Sequence, residues 1–279
     1  MNLPVSLTPP AGQAPQPTLH EDSLEAMLSR TAVFKANTPA TGLLIKASMA
    51  GVLLGLATCL SYLAMDGLPQ GRARLVAGAV FPVGFMVIML LRLELIAGNF
   101  ALLGLGALNG QVSRQQMLRN WGWVYLGNFI GALLLAWLLM LAFSNTPSAS
   151  DNLLTSQLVG MAEGKTLAYQ QAGMTGWASV FVKAILCNWL VALAVVLGIV
   201  IPSVPGKIMA AWLPLMNFMA LGFEHAVVNL FVIPAGMLLG ADISIGQWLL
   251  WNFVPVTLGN LLGAWMVAAA IHYGYRQGG

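Results

Sequence analysis

The sequence predicts an all-α integral membrane protein with six transmembrane helices, and three observations carry that prediction. Only 8% of its 279 residues are charged and 58% are hydrophobic, whereas soluble domains carry about 25% charged residues. Six apolar stretches are each long enough for a helix to cross a hydrocarbon core of about 30 Å. Two of those stretches enclose a carboxylate and an amide at the same spacing, Glu94 with Asn99 and Glu224 with Asn229. Ionisable groups at membrane depth cost roughly 2.5–3.5 kcal/mol each on insertion scales, so they persist where they face a partner, a cavity or a permeation path.

The elements follow in order along the chain. Residues 1–19 hold five prolines and little to bury, which predicts a disordered tail. Residues 20–42 mix Glu21, Asp22, Glu25, Arg30 and Lys35 with apolar positions. They read as an amphipathic helix on the membrane surface, or as a plain lead-in helix. No basic region followed by a short apolar core stands at the N-terminus, so no signal peptide is expected. The spans are placed near 43–65, 75–108, 118–143, 177–201, 207–239 and 247–273. Residues 144–176 form a long external loop with a short helix around 151–170. Cys59 and Cys187 lie in apolar runs without metal spacing and read as small core residues.

Charge sets the orientation. Arg30, Lys35, Lys46, Arg114, Arg119, Lys207 and Arg276 fall on one side, against Arg72, Arg74 and Lys165 on the other. Seven against three places both termini in the cytoplasm. Trp121, Trp123, Trp177, Trp248 and Trp251 lie near span ends, where interfacial anchors belong. The net charge of +3 is small and scattered and leaves no footprint for nucleic acid.

The second and fifth spans are too long for one simple crossing. Each carries polar residues and glycine midway, Glu94, Gly98 and Asn99 in one, Gly222, Glu224, His225 and Asn229 in the other. Helices broken at that depth are tolerated only where they line a cavity or are buried in protein. Glu224 and Asn229 follow Glu94 and Asn99 at one constant offset, and Leu126-Gly127-Asn128 recurs as Leu258-Gly259-Asn260 at nearly the same offset. Each unit, 43–143 and 177–273, holds three spans, an odd number, so the second is inverted relative to the first. Inverted repeats with paired broken helices place a translocation site at their interface near the midplane.

The chemistry concentrates at His225. An imidazole exchanges a proton near neutral pH, and in an apolar pore desolvation disfavours its cation. An anion beside it takes the proton and continues as a neutral acid, which crosses apolar constrictions far more cheaply than an ion. Glu94 and Glu224 are repeat mates, expected to accept from backbone amides freed at the breaks, with direct proton relay as the alternative. Asn99, Asn229, Asn128 and Asn260 are expected to bind exposed backbone. Asn188 either lines the pore or braces it. Arg92 pairs with a glutamate, faces a subunit contact or attracts anions. Lys183 starts the fourth span and can snorkel to the surface. Glycines four apart at Gly51 and Gly55, Gly127 and Gly131, and Gly259 and Gly263 permit close helix approach.

Over residues 30–273 the chain resembles the formate/nitrite transporter family of pentameric channels. The resemblance rests on Ala184-Ile185-Leu186-Cys187-Asn188-Trp189-Leu190-Val191, Gly222-Phe223-Glu224-His225 with Asn229, Leu126-Gly127-Asn128, and Val256-Thr257-Leu258-Gly259-Asn260. It implies an aquaporin-like protomer with its own pore, five protomers surrounding a central hole. It implies that His225 is the central pore histidine, Asn188 a pore-facing asparagine and Phe218 an outer constriction aromatic. Phe81 and Phe85 fall on bulky constriction positions, and Leu95 and Ile96 on the loop that interrupts the second helix. Ala97 stands where the family has a threonine that bonds the histidine. Arg92 stands where small residues are usual. The outer-vestibule lysine that the family tends to place ahead of the asparagine is replaced by Gln171 and Ala172, with Lys165 or Lys183 as substitutes.

The expectation is therefore a channel or proton-coupled carrier in the inner membrane for small monovalent anions such as formate or nitrite. Its partners are the anion, protons, lipid and further copies of itself; it is not an enzyme, and no cofactor is implied. A neutral-solute pore of the same fold is the first rival, because Ala97 weakens the acid–base site. A membrane enzyme or sensor using Glu94, Glu224 and His225 is the second, and it lacks a nucleophile motif or metal cluster.

Overall fold

The computed structural model describes residues 24–144 and 152–275. The Pro-rich stretch, His20, Glu21, Asp22 and Arg276 lie outside the described residues. The secondary structure is helical throughout the described residues: α1 (Leu24–Ala36), α2 (Ala40–Leu63), α3 (Gln70–Val80), α4 (Pro82–Leu90), α5 (Ile96–Leu108), α6 (Arg114–Ser144), α7 (Leu153–Gln171), α8 (Gly173–Val200), α9 (Val204–Ala220), α10 (Ala226–Leu238), α11 (Ile245–Trp248) and α12 (Val254–Tyr275). A π-helical turn, Leu249–Phe253, joins the last two. Among the described residues five helical stretches are long and apolar enough to cross a membrane: Ala40–Leu63, Gln70–Leu90, Arg114–Phe143, Gly173–Val200 and Ile245–Tyr275.

Local chemistry sets the breaks. Pro82 opens α4 and removes one backbone donor from the span it shares with α3. At the end of α4 the amide of Arg92 donates to Met89 O (3.1 Å) and that of Leu93 to Ile88 O (2.9 Å). The end of α9 repeats this geometry, Gly222 N to Met219 O at 3.1 Å and Phe223 N to Phe218 O at 3.0 Å. Both are Schellman terminations, which call for a left-handed residue. Gly222 supplies it at φ 69° without penalty, whereas Arg92 adopts φ 52°, a conformation that costs an L-residue roughly 1–2 kcal/mol.

Beyond the breaks, α5 and α10 are apolar on every side and form the centre. Residues 96–106 and 226–236 are buried without interruption, as a helix with no polar face must be. The long helices pair around them, α2 with α6 and α8 with α12. Gly131 lies against the backbone of Ser48 and Gly263 against that of Ile185, so closely that a Cβ at either would collide. Small residues at these crossings let the helix backbones touch.

The N-terminal helix packs on the bundle: α1 buries Leu28, Ala32 and Ala36 and packs on α5, while Phe34 stays exposed. The loop over 144–176 is largely α7, a 19-residue helix capped by Asn152. α7 packs on α10 through Leu158 and Ala162, which are the repeat mates of Leu28 and Ala32 at the offset that relates the two glutamates. Two of the expected tryptophan anchors also point inward. Trp121 Nε1 donates to Asn99 O at 3.1 Å, and Trp248 stacks on Phe129 with ring centroids 6.2 Å apart. Cys59 and Cys187 are buried free thiols.

Candidate functional site

The two breaks are held by the same set of bonds. At the first, Glu94 Oε2 accepts from Lys35 Nζ at 2.7 Å and from Asn99 Nδ2 at 2.8 Å. Asn99 also donates to Asn120 Oδ1 (2.8 Å), and Asn120 donates to the carbonyl of Lys35 (2.9 Å). At the second, Glu224 Oε2 accepts from Lys165 Nζ and from Asn229 Nδ2, both at 2.8 Å. Asn229 donates to Asn252 Oδ1 (3.0 Å), and Asn252 to the carbonyl of Lys165 (2.8 Å). The carboxylates, 2% and 3% exposed, are tolerable at that depth because each has a cation and an amide.

These bonds revise several sequence expectations. The amides freed at the breaks go to asparagines instead of glutamates: Ile96 N donates to Asn128 Oδ1 and Ala226 N to Asn260 Oδ1, each at 2.9 Å. Asn128 Nδ2 donates to the carbonyls of Ala47 and Glu94, and Asn260 Nδ2 to those of Ala184 and Glu224. Asn99 and Asn229 bind side chains, not backbone. Lys165 is the lysine that reaches Glu224, although it lies well ahead of the window at Gln171 and Ala172. Lys183 does not snorkel: its Nζ donates to Tyr169 Oη at 3.1 Å and lies 5.2 Å from that ring's centroid. Tyr169 in turn donates to Glu224 Oε1 at 2.9 Å. Asn120, Asn252 and Tyr169 are site residues that the sequence motifs do not single out.

His225 stands at the N-cap of α10 in extended conformation, 2% exposed. Its Nδ1 accepts from Val228 N at 3.3 Å. An acceptor Nδ1 leaves the proton of the neutral ring on Nε2. The ring stacks on Phe218, centroids 5.7 Å apart and planes at 21°. Phe218 meets Phe81 edge to face at 5.3 Å. His225, Phe218 and Phe81 thus form one continuous aromatic layer. Asn188 Nδ2 donates to the carbonyls of Ala97 (3.2 Å) and Asn260 (2.6 Å), while its buried Oδ1 has no partner. Ile96 and Ala97 are fully buried.

On the α1 side of that layer lies a cavity of about 680 Å³, whose walls include Phe85, Leu95, Glu94, Asn99 and Arg92. The expected pairing of Arg92 with a glutamate is not seen. Glu94 is occupied by Lys35, and no ion pair joins Arg92 to a carboxylate among the described residues. No group of three or more His, Cys, Asp or Glu side chains converges on a metal position among the described residues.

Known proteins match this chain over most of its length. The family described as formate/nitrite transporter matches residues 22–274. A probable formate transporter of Methanothermobacter thermautotrophicus is 34% identical over 88% of this chain and 92% of its own length. The formate channel BtFdhC of Bacillus thuringiensis is 32% identical over 87% of this chain and 90% of its own. Among solved structures, an FNT family ion channel superposes with a TM-score of 0.75 at 27% identity, covering 92% of this chain and 98% of that one. A pentameric formate channel with formate bound shares the fold at 24% identity, with a TM-score of 0.70 over 85% of this chain and 97% of that one. On sequence that matches over nearly its whole length, and on a shared fold, this chain belongs to the formate/nitrite transporter family.

Proposed function

We propose that this protein conducts small monovalent anions, formate or nitrite among them, through a path within each protomer that passes His225. The observation that carries this reading is the placement of His225: a buried imidazole, stacked on Phe218, at the N-cap of a helix broken in mid-span. The neutral ring presents Nε2–H as a hydrogen-bond donor to an arriving anion. When the ring takes up a second proton from the aqueous side, the imidazolium passes its Nε2 proton to the anion and is left neutral, and the resulting neutral acid crosses the Phe81–Phe218 layer without the cost of moving a bare charge through apolar surroundings. Asn188 Oδ1, buried without a partner, is an acceptor available to the acid's O–H.

In this reading the chain crosses the inner membrane six times, with α3–α4–α5 and α9–α10 as the second and fifth crossings. Its halves are inverted relative to each other, and α1 faces the cytoplasm. The repetition of the whole hydrogen-bond set at a nearly constant offset along the chain supports the duplication. Five copies assemble, as the fold-mate's description as pentameric suggests.

Flux in proteoliposomes tests the reading. Formate, nitrite, acetate, lactate and hydrosulfide are compared at about pH 5.5 and about pH 7.5, either side of an ordinary histidine. Rapid, pH-dependent passage of the smallest anions is expected. Water or glycerol flux without anion flux would replace this reading with a neutral-solute pore, the rival that the missing hydroxyl at Ala97 favours.

A further inference from the structure

The two helix breaks differ in charge although their scaffolds repeat. Arg30 and Arg92 both line the cavity on the α1 side, together with Lys35 and Lys207. Glu94 is the one carboxylate among the described lining residues, and Lys35 already neutralises it. At the offset that relates the two glutamates, the mates of Arg30 and Arg92 are Gly160 and Gly222. Arg92 moreover holds the left-handed conformation that Gly222 adopts freely at the matching helix end. Packing gives no reason for arginine there, because the side chain is exposed and no ion pair involves it among the described residues. A guanidinium held on strained backbone at the wall of a cavity is a feature that calls for a ligand.

We propose that the α1-side cavity is a binding site for a multivalent oxyanion of the phosphate type, held by Arg92 with Lys207. The chemistry fits in three respects. Guanidinium groups bind tetrahedral oxyanions through paired, charge-assisted hydrogen bonds. At about 680 Å³ the cavity is far larger than a three-atom anion needs and accommodates a phosphate or diphosphate with its bridging water. The aromatic layer of Phe81 and Phe218 closes the way onward to a dianion, which would have to shed its hydration against apolar walls. The bound oxyanion therefore stays at the mouth. If the anion-conduction reading holds, it plugs the path from the α1 side only, because glycine stands in place of Arg92 at the other break.

The test is direct binding of inorganic pyrophosphate to the purified oligomer, by titration calorimetry, for the wild type, Arg92→Gly and Arg92→Lys. Binding does not require conduction, so its failure is separable from failure of the anion-channel reading. Wild-type binding that weakens with added salt is expected, with about tenfold or greater loss in Arg92→Gly and a smaller loss in Arg92→Lys. Thermal unfolding accompanies it. Glycine relieves the left-handed backbone, so Arg92→Gly melts no lower than the wild type, and lost affinity is not lost folding. Wild-type protein that binds no pyrophosphate, or Arg92→Gly that binds it unchanged, overturns the proposal. Pyrophosphate block of formate flux from both faces equally would overturn the one-sided plug.

Discussion

At the scale of single residues, His225 has two tasks that can be separated. Its Nδ1 caps α10 by accepting from Val228 N, and its Nε2–H is the candidate proton donor. Asparagine is among the best N-cap residues, and its Oδ1 accepts the same kind of bond. His225→Asn is therefore expected to fold, with a thermal midpoint close to the wild type, while losing a titratable group. Formate flux measured from about pH 5 to about pH 8 is expected to become flat in this variant and steep in the wild type, across the range where histidine changes charge. A variant that keeps the wild-type profile would remove His225 from the proton path. The repeat mate of His225 is Leu95, at the N-cap of α5 without a side-chain bond. Of the two capping positions, His225 and Leu95, only His225 carries a group that can exchange a proton.

At the scale of elements, the breaks survive because each loose backbone group has a named partner. Asn260 satisfies one amide and two carbonyls at once, and Asn128 does the same at the other break. Leaving a buried polar group unsatisfied costs about 1–3 kcal/mol, so Asn260→Ala and Asn128→Ala are each expected to lower stability by a few kcal/mol. Comparable drops in thermal midpoint would bear out the equivalence of the two sites; a drop in only one would break it. Lys165→Met strands Glu224 in the interior, a loss of about 3–5 kcal/mol for a broken buried pair. Adding Glu224→Gln to Lys165→Met is expected to recover much of it, and no recovery would mean that Lys165 stabilises by packing alone. The breaks themselves were legible in the sequence, since Glu94 and Asn99 with Glu224 and Asn229 stood out against apolar runs. The lysine clasps were not, because Lys35 and Lys165 lie on helices that hydropathy cannot distinguish from lead-in and loop. Their separation along the chain, the same as that of the glutamates, was the available signal. Asn120 and Asn252, spaced like Asn128 and Asn260, carried a second. Lys183 departs from expectation for a different reason: snorkelling is argued from a helix end alone, and the ring of Tyr169 that holds it comes from another helix.

At the scale of the whole molecule, the chain turns small residues inward at its helix crossings and large apolar ones outward. Ile45, Met49, Leu56 and Leu60 on α2, and Leu126, Ile130, Leu134 and Leu138 on α6, are all at least 42% exposed. A soluble monomer rarely carries an apolar face of that extent, whereas lipid or neighbouring copies can cover it. Both lysine–glutamate clasps and the aromatic layer with His225 are formed by side chains of one chain. In the proposed reading, assembly then multiplies paths instead of creating one. This separates two arrangements that five copies of 29.6 kDa could adopt, five independent routes or one shared central route. Mixed oligomers distinguish them. Wild-type and His225→Asn chains carrying different tags are co-expressed at varied ratios, the composition of the oligomers is read by native mass spectrometry, and formate flux is measured at acidic pH, where the variant is expected to differ most from the wild type. Independent routes give flux that changes linearly with the wild-type fraction. A shared route, in which every copy must contribute its imidazole, gives flux that collapses with the first few substituted chains, following the fifth power of that fraction. Linear dependence is expected, because the groups proposed to handle the anion, His225, Phe218 and Phe81, stack on one another within one chain.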